Sequence, residues 1–332
     1  MHVTRRGLAA AALAAATVPR AGARAQPAWP ARPVRFVVPF PPAGTTDITA
    51  RIAAEKLTPR LGQQVIVENR AGATGNLGAD HVARSEPDGY TFLVCTISTA
   101  AINYSLWGAR MTVRPEDLAA VGLLIRVPNV LFVPAASPFR SVAELVAAAK
   151  ERPGALNYGS AGSGGSPHMT MEMFKLRTGV DIVHVPFRGA GPMLVEAVAG
   201  RLDAGCDNMP SCIGHIRDGR LRALAVTSAQ RSHALPEVPT LAEVGVPDFE
   251  ATAWFGIQAP ARTPRPIIER LGRELDAITR EPDYRRRIEE LGGAPPGLTP
   301  EGGTTPEAFE AFIRDEIVRW AEVVRVSGAR ID

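Results

Sequence analysis

Short apolar runs alternate with longer amphipathic stretches along most of the chain, and few architectures accept that rhythm. Residues 34–38 (Val-Arg-Phe-Val-Val) precede a helical pattern over 48–61, residues 65–67 precede another over 75–83, and residues 91–95 follow. Runs of β-branched and aromatic residues read as strands and three- to four-residue apolar spacing as helices, so the unit is βαβαβ, a parallel sheet with helices on its faces. A second series begins at 130–133 and continues through a helix over 142–150 and strands at 156–158, 182–185, 204–206 and 224–226. Its other helices are expected over 168–177 and 191–199. Residues 254–259 add a strand, and helices bounded by proline follow over 267–279 and 283–291. In a terminal helix over 306–326, Phe309, Phe312, Ile313, Ile317, Trp320 and Val324 form one apolar stripe that must dock on a core. A length of 332 residues accommodates two lobes. Because the terminal stripe needs a partner and the second series leaves no room for a third core, the expected lobes are discontinuous: 27–128 plus 255–332, and 129–254.

Residues 1–25 read as an export signal. Arg5-Arg6 precede an apolar run from Leu8 to Val18, and Ala23-Arg24-Ala25 offers a small-residue cleavage site. The paired arginines fit a general secretory or a twin-arginine route. Charge is read best without this leader: removing its four arginines from 37 basic residues leaves 33 against 34 acidic ones. The near-neutral remainder has no block of like charge, which argues against nucleic acid as a partner. No later apolar run reaches the roughly 18 residues a membrane span needs. Three cysteines are too few for a disulfide scaffold: Cys95 reads as a buried apolar residue, while spacing leaves a Cys206–Cys212 pairing open. No metal-binding spacing and no cofactor motif is present.

The stretch from Asn157 to Phe174 (NYGSAGSGGSPHMTMEMF) places four glycines between a strand and a helix. Three chemistries suit such a loop. A phosphate cradle would need the Gly-Lys-Ser/Thr ending, which is missing. A nucleophile elbow at Ser163 would need an acid, Asp203 or Asp207, and then His215 or His233, with no oxyanion segment in sight. The third is a helix start, with Ser166 as N-cap and Pro167 in the first position, whose free N–H groups and positive dipole end receive a carboxylate. An earlier loop, residues 39–48 (PFPPAGTTDI), repeats the strand-loop-helix grammar. Asp47 is expected as a first-turn acid, His168 as a ligand contact or a structural hydrogen-bonding group, and Arg188 in the loop after residues 182–185 as a complement to a second carboxylate.

Taken in order, Trp29-Pro-Ala-Arg-Pro33, Pro39-Phe40 with Gly44 and Asp47, Glu68-Asn-Arg-Ala-Gly72, Pro87-Asp-Gly-Tyr90, Tyr158-Gly-Ser-Ala-Gly162, Pro186-Phe-Arg-Gly189 and Trp254-Phe-Gly256 resemble the periplasmic solute receptors of tripartite tricarboxylate transporters, the Bug receptors. The segment from Ile216 to Thr227 and the pattern Phe309, Phe312, Glu316, Trp320 extend the resemblance over nearly the whole mature chain. It implies an α/β, two-lobed periplasmic binding protein fold of the type II-like, Venus-flytrap kind: each lobe a mixed sheet flanked by helices, with two crossover strands. It also implies a monomeric, non-enzymatic receptor that closes over a small organic acid and hands it to membrane permease subunits. That acid could be a dicarboxylate, a tricarboxylate, an acidic amino acid or an aromatic acid; the alternatives are presentation of the ligand to a sensor and, from the residues alone, the Ser163 esterase. Carried over by position, Pro42, Ala43, Gly44, Thr45, Thr46 and Asp47 form one clamp. Ser160, Ala161, Gly162, Ser163, Gly164, Ser166 and His168 form the other, with Ser98 and Thr99 as a near wall; Arg188, Gly189 and Asp207 complete the ligand-facing set. Gly162 is expected to lay its backbone against the carboxylate. The chain departs from the family pattern where Ala43 replaces a usual glycine and Cys206 a usual large residue, and the segment 297–305 is longer than usual.

Overall fold

The computed structural model describes residues 29–331, so the leader lies outside the described residues. Three parallel strands, β1 (Val34–Val38), β2 (Val65–Asn69) and β3 (Thr91–Thr96), build the first sheet. They are linked by helices α1 (Thr45–Leu61) and α2 (Asn76–Ala83). After β3 the chain makes a buried π-helical turn over Ser98–Ile102 and a short helix α3 (Asn103–Trp107). Then comes β4 (Leu118–Pro134), a 17-residue strand that serves two sheets. Residues 118–128 pair antiparallel with β9 (Thr252–Pro260) in the first sheet, and residues 129–134 pair with β7 (Ala204–Asn208) and β8 (Leu221–Val226) in the second. The second sheet is completed by β5 (Asn157–Ser160) and β6 (Val183–Pro186). The strand path β2-β1-β3-β9-β4-β7-β5-β6, with β8 on β4, is therefore continuous through both lobes.

Sequence pattern shows only the end of β4, because Gly122, Arg126 and Pro128 break its alternation. In the structure the register shifts near Gly122 and again before Ile125, and Pro128 sits where pairing passes from one partner strand to the others, a position where its missing donor costs little. The second sheet has apolar clusters on both faces. One gathers Leu131, Val133, Tyr158 and Phe174, and the other Val130, Phe132, Met193 and Ile213. That alternation decides the cysteine question: Cys206 belongs to the first cluster and Cys212 to the second, and both thiols are free and buried. Cys95 is fully buried in the first lobe.

Helices α4 (Val142–Glu151), α5 (Ser166–Thr178), α6 (Ala190–Val198) and α7 (Met209–Arg217) cover the second sheet. Helices α8 (Arg265–Arg280), α9 (Pro282–Glu290) and α10 (Pro306–Ser327) return to the first lobe. In α10, Phe309, Ile313 and Trp320 are buried while Phe312, Ile317 and Val324 pack at the edge of the same core. Glu316 is buried within this apolar face, accepting hydrogen bonds from the indoles of Trp254 (2.8 Å) and Trp320 (3.1 Å) and pairing with Arg319 (3.3 Å). Removing a buried acceptor leaves its donors unpaired at a cost of about 1–3 kcal/mol. Glu316→Ala should therefore lower unfolding stability by about 2 kcal/mol in a urea titration; an unchanged midpoint would show that α10 docks by its apolar stripe alone.

Candidate ligand-binding cleft

The carboxyl ends of the strands in both sheets open into loops that start helices, and four of those helix starts converge. Gly44, Thr45 and Thr46 at the head of α1, Gly165, Ser166 and Pro167 at α5, Gly189 and Ala190 at α6, and Asp207 and Asn208 before α7 line one chamber of about 50 Å³, with Thr96, Ile97 and Ser98 on the first-lobe side. The first turns of a helix carry N–H groups with no intrahelical acceptor and a positive partial charge. At α4 and α10 those donors are capped by side chains, Ser141 accepting from Glu144 N–H and Thr305 from Ala308 N–H, whereas α2, α8 and α9 start without a side-chain cap. At α1, α5, α6 and α7 no side chain caps the first turn. What sets these four apart is that they converge, so that their main-chain donors gather around one chamber.

Local sequence explains how the loops hold this shape. Ala43 adopts φ +66° and Asp47 secures it, accepting from Ala43 N–H (3.1 Å), from Arg51 (2.9 Å to each carboxylate oxygen) and from the Asn69 amide (3.0 Å). Burial pulls the Asp47 carboxyl up, but the bonds from Arg51, Asn69 and Ala43 outweigh it and hold the group below the usual range. Asp47 is therefore a loop anchor, absent from the chamber lining. The N-cap of α5 is Gly165, one residue before the expected Ser166, and Ser166 Oγ instead accepts from the Asn208 amide at 3.1 Å. His168 points back into its own loop. Its Nδ1 accepts from Gly164 N–H (3.1 Å), and its ring stacks on His184 at 4.2 Å. His184 stacks in turn on Tyr158 and shares a 2.7 Å hydrogen bond with Ser160 Oγ. Burial, reinforced by His168 and Lys175, pushes His184 down to about 3, so the stack is neutral at physiological pH. This stacked pair is the support of the glycine loop, and nothing in the local sequence around His184 signals it.

Gly162 is fixed within its own loop. Its N–H donates to Ser160 Oγ (3.3 Å) and its carbonyl accepts from Gly165 N–H (3.3 Å), with φ +136°. It lines a wider vestibule of about 750 Å³ with Ser163, Arg188, Trp107 and residues 71–75. Phe40, Pro41, Ala161 and Gly189 line both spaces, so chamber and vestibule adjoin. Ser163 Oγ has no hydrogen bond to a histidine among the described residues. His233 lines a separate cavity. Ser98 is in the chamber wall, whereas Thr99 Oγ1 is spent on the Thr96 backbone. Beside the cleft the lobes touch through Thr74 Oγ1, which donates to the Ser163 carbonyl (2.6 Å), and through Thr45 Oγ1, 3.3 Å from Ser211 Oγ; behind it Arg319 donates to the Glu250 carbonyl (3.0 Å).

Asp207 is the one ionisable side chain in the chamber lining among the described residues. It is 2% exposed. Its oxygens accept from Ser211 Oγ (2.7 Å) and Asn208 N–H (2.9 Å), yet burial dominates and pushes the carboxyl up to about 7. No cluster of three or more potential metal ligands occurs among the described residues, and none of their helices is long and apolar enough to cross a membrane.

A family model described as the tripartite tricarboxylate transporter family receptor matches residues 49–328. Protein BugT of Bordetella pertussis is 41% identical over 304 residues, covering 91% of each chain. Among solved structures, R. palustris Rpa4515 with adipate superposes with a TM-score of 0.87 at 37% identity, covering 91% of this chain and all of that one. MatC from Rhodopseudomonas palustris with bound malate gives 0.83 at 32% identity, covering 89% of this chain and all of that one.

Proposed function

The chain belongs to the tripartite tricarboxylate transporter receptor family, and from that premise we propose that it is an exported periplasmic receptor that closes its two lobes over a small dicarboxylate and passes it to a membrane permease. The observation that carries the reading is the ring of four helix starts without side-chain caps around the inner chamber, which offers main-chain donors and no basic side chain. Relatives holding adipate and malate support the ligand class. The lobes that close are 27–128 with 255–332, and 129–254, pivoting about β4 and the start of β9. Binding on one lobe followed by donors added from the other shifts the population toward the closed form.

The inner chamber suits one carboxylate, and the vestibule gives the rest of the acid room beside Arg188, which is exposed and has no ion pair among the described residues. A second carboxylate there gains a partly screened interaction of about 0.5–1 kcal/mol. Arg188→Gln should accordingly weaken adipate about three-fold while leaving a monocarboxylate of equal length unchanged; equal losses for both would place the second carboxylate elsewhere. The test of the function itself is calorimetric titration of the mature chain with adipate, malate, glutamate and benzoate. Micromolar binding of at least one dicarboxylate is expected, and no binding across the panel would overturn the reading.

A further inference from the structure

Neighbouring residues of β9 face opposite sides of the crossover sheet: Phe255 lines the ligand chamber, and Trp254 lines a second cavity of about 330 Å³ behind it. This rear cavity is built on the pivot. Arg126 of β4, paired in register with Trp254, forms its floor. Ser228 and Ser232 approach from the second lobe and Phe312 of α10 from the first.

Arg126 is the unusual feature. Its guanidinium carbon lies 5.0 Å from the Phe312 ring centroid. Its Nε is buried without an acceptor, and no side-chain hydrogen bond or ion pair reaches it among the described residues. Arginine stays protonated and brings five donors in a fixed fork, so a half-buried guanidinium facing only an aromatic ring is an incomplete pair. The other charges around the cavity are differently placed. Arg231 is held by Glu243 (2.9 Å), and Arg319 by Glu316 (3.3 Å), whose remaining oxygen is taken by the two indoles. Glu250 and Glu289 stand exposed at the rim without side-chain partners among the described residues.

We propose that the rear cavity is a second ligand site, taking a compact monocarboxylate on the Arg126 guanidinium. The serine hydroxyls and Thr252 supply further polar contacts, and Pro128 and Ala294 border the apolar tail. The rim acids set the charge limit: a second negative group would sit against Glu250 and Glu289, so dicarboxylates are disfavoured here and accepted in the cleft. Burial opposes the Arg126 charge and Glu316 and Glu250 offset that in part, which leaves a bound anion as the missing compensation. Because the lining comes from both lobes, an occupant bridges them across the pivot.

The proposal rests on the cleft being the primary carboxylate site, so the experiment separates the two. Trifluoroacetate is titrated at constant ionic strength and followed by 19F line broadening with wild type, Arg126→Met, Arg126→Gln and the cleft-blocked Gly44→Val. Saturable broadening that survives in Gly44→Val, falls at least ten-fold in either Arg126 variant and is not displaced by adipate supports the rear site. Broadening equal to wild type in a folded Arg126 variant, or lost wholly in Gly44→Val, overturns it. Adipate binding is measured on the same proteins by calorimetry, and its retention in Gly44→Val would count against the cleft reading without touching the rear site.

Discussion

Gly44→Val should reduce adipate affinity at least a hundred-fold while leaving thermal stability at or slightly above that of wild type. Gly44 has an ordinary extended backbone, φ −80° and ψ 166°. An added Cβ would meet the Pro41 carbonyl at 3.8 Å and the Ala190 Cβ at 4.0 Å, both normal contacts. Nothing in the folded chain therefore resists a side chain, and replacing glycine at a compatible backbone stabilises by about 0.4–1 kcal/mol through the unfolded state. The contact with Ala190 spans the cleft, however, so the two further methyl groups of valine occupy the space between the helix starts that the carboxylate would fill. Losing a charged ligand's main-chain bonds at about 1.5–3 kcal/mol each exceeds the roughly 2.7 kcal/mol of a hundred-fold change. Calorimetry with parallel thermal unfolding checks both halves. Binding within three-fold of wild type would move the carboxylate away from α1.

Asp207 gives the second large effect. Its carboxyl, raised from the ordinary 3.8 to about 7, binds a proton more tightly folded than unfolded. Its contribution to stability is therefore complete below pH 3.8, declines as pH rises from there to about 7, and is flat above. A proton affinity raised that far is worth about 4 kcal/mol. Asp207→Asn keeps the shape of the neutral acid, so the variant should lack this decline and unfold at higher urea than wild type at about pH 8. Asp47, held low, acts on the acid side of that window and is common to both proteins. An ionised Asp207 in the chamber also repels a carboxylate, so adipate affinity in wild type should fall as pH passes about 7 and that slope should vanish in the variant. Parallel pH profiles for the two proteins would show that Asp207 is charged throughout.

Much of this is legible in the chain. The alternation of apolar runs and amphipathic helices yields the α/β class and the two lobes, and the glycine-rich loop before α5 marks a helix start by its strand, its Ser-Pro pair and its lack of lysine. Three things escape such a reading. The first half of β4 is hidden because its irregular register and Pro128 erase the period of two. The start of α7 goes unnoticed although Asn208-Met209-Pro210 carries an N-terminal signature, a polar cap with proline just inside. The supports of the loops, Asp47 with Arg51 and His168 with His184, are tertiary or depend on side-chain direction, and residue type alone leaves them indistinguishable from ligand contacts. At Gly162 the structure adds a positive φ and a bond to Ser160, neither of which the residue type announces.

The ring of main-chain donors bears on how such receptors diversify. An anchor made of helix starts cannot be deleted by exchanging one side chain for another of similar size, because every residue except proline supplies the same N–H. On the proposed reading, a duplicated gene can therefore accumulate changes at the vestibule positions Trp107, Phe187 and Arg188, trading one organic acid for another, while the grip on the first carboxylate passes unaltered to each descendant. Selection acts on the tail of the nutrient and leaves its head group alone, which makes this scaffold easy to retarget, in nature or at the bench.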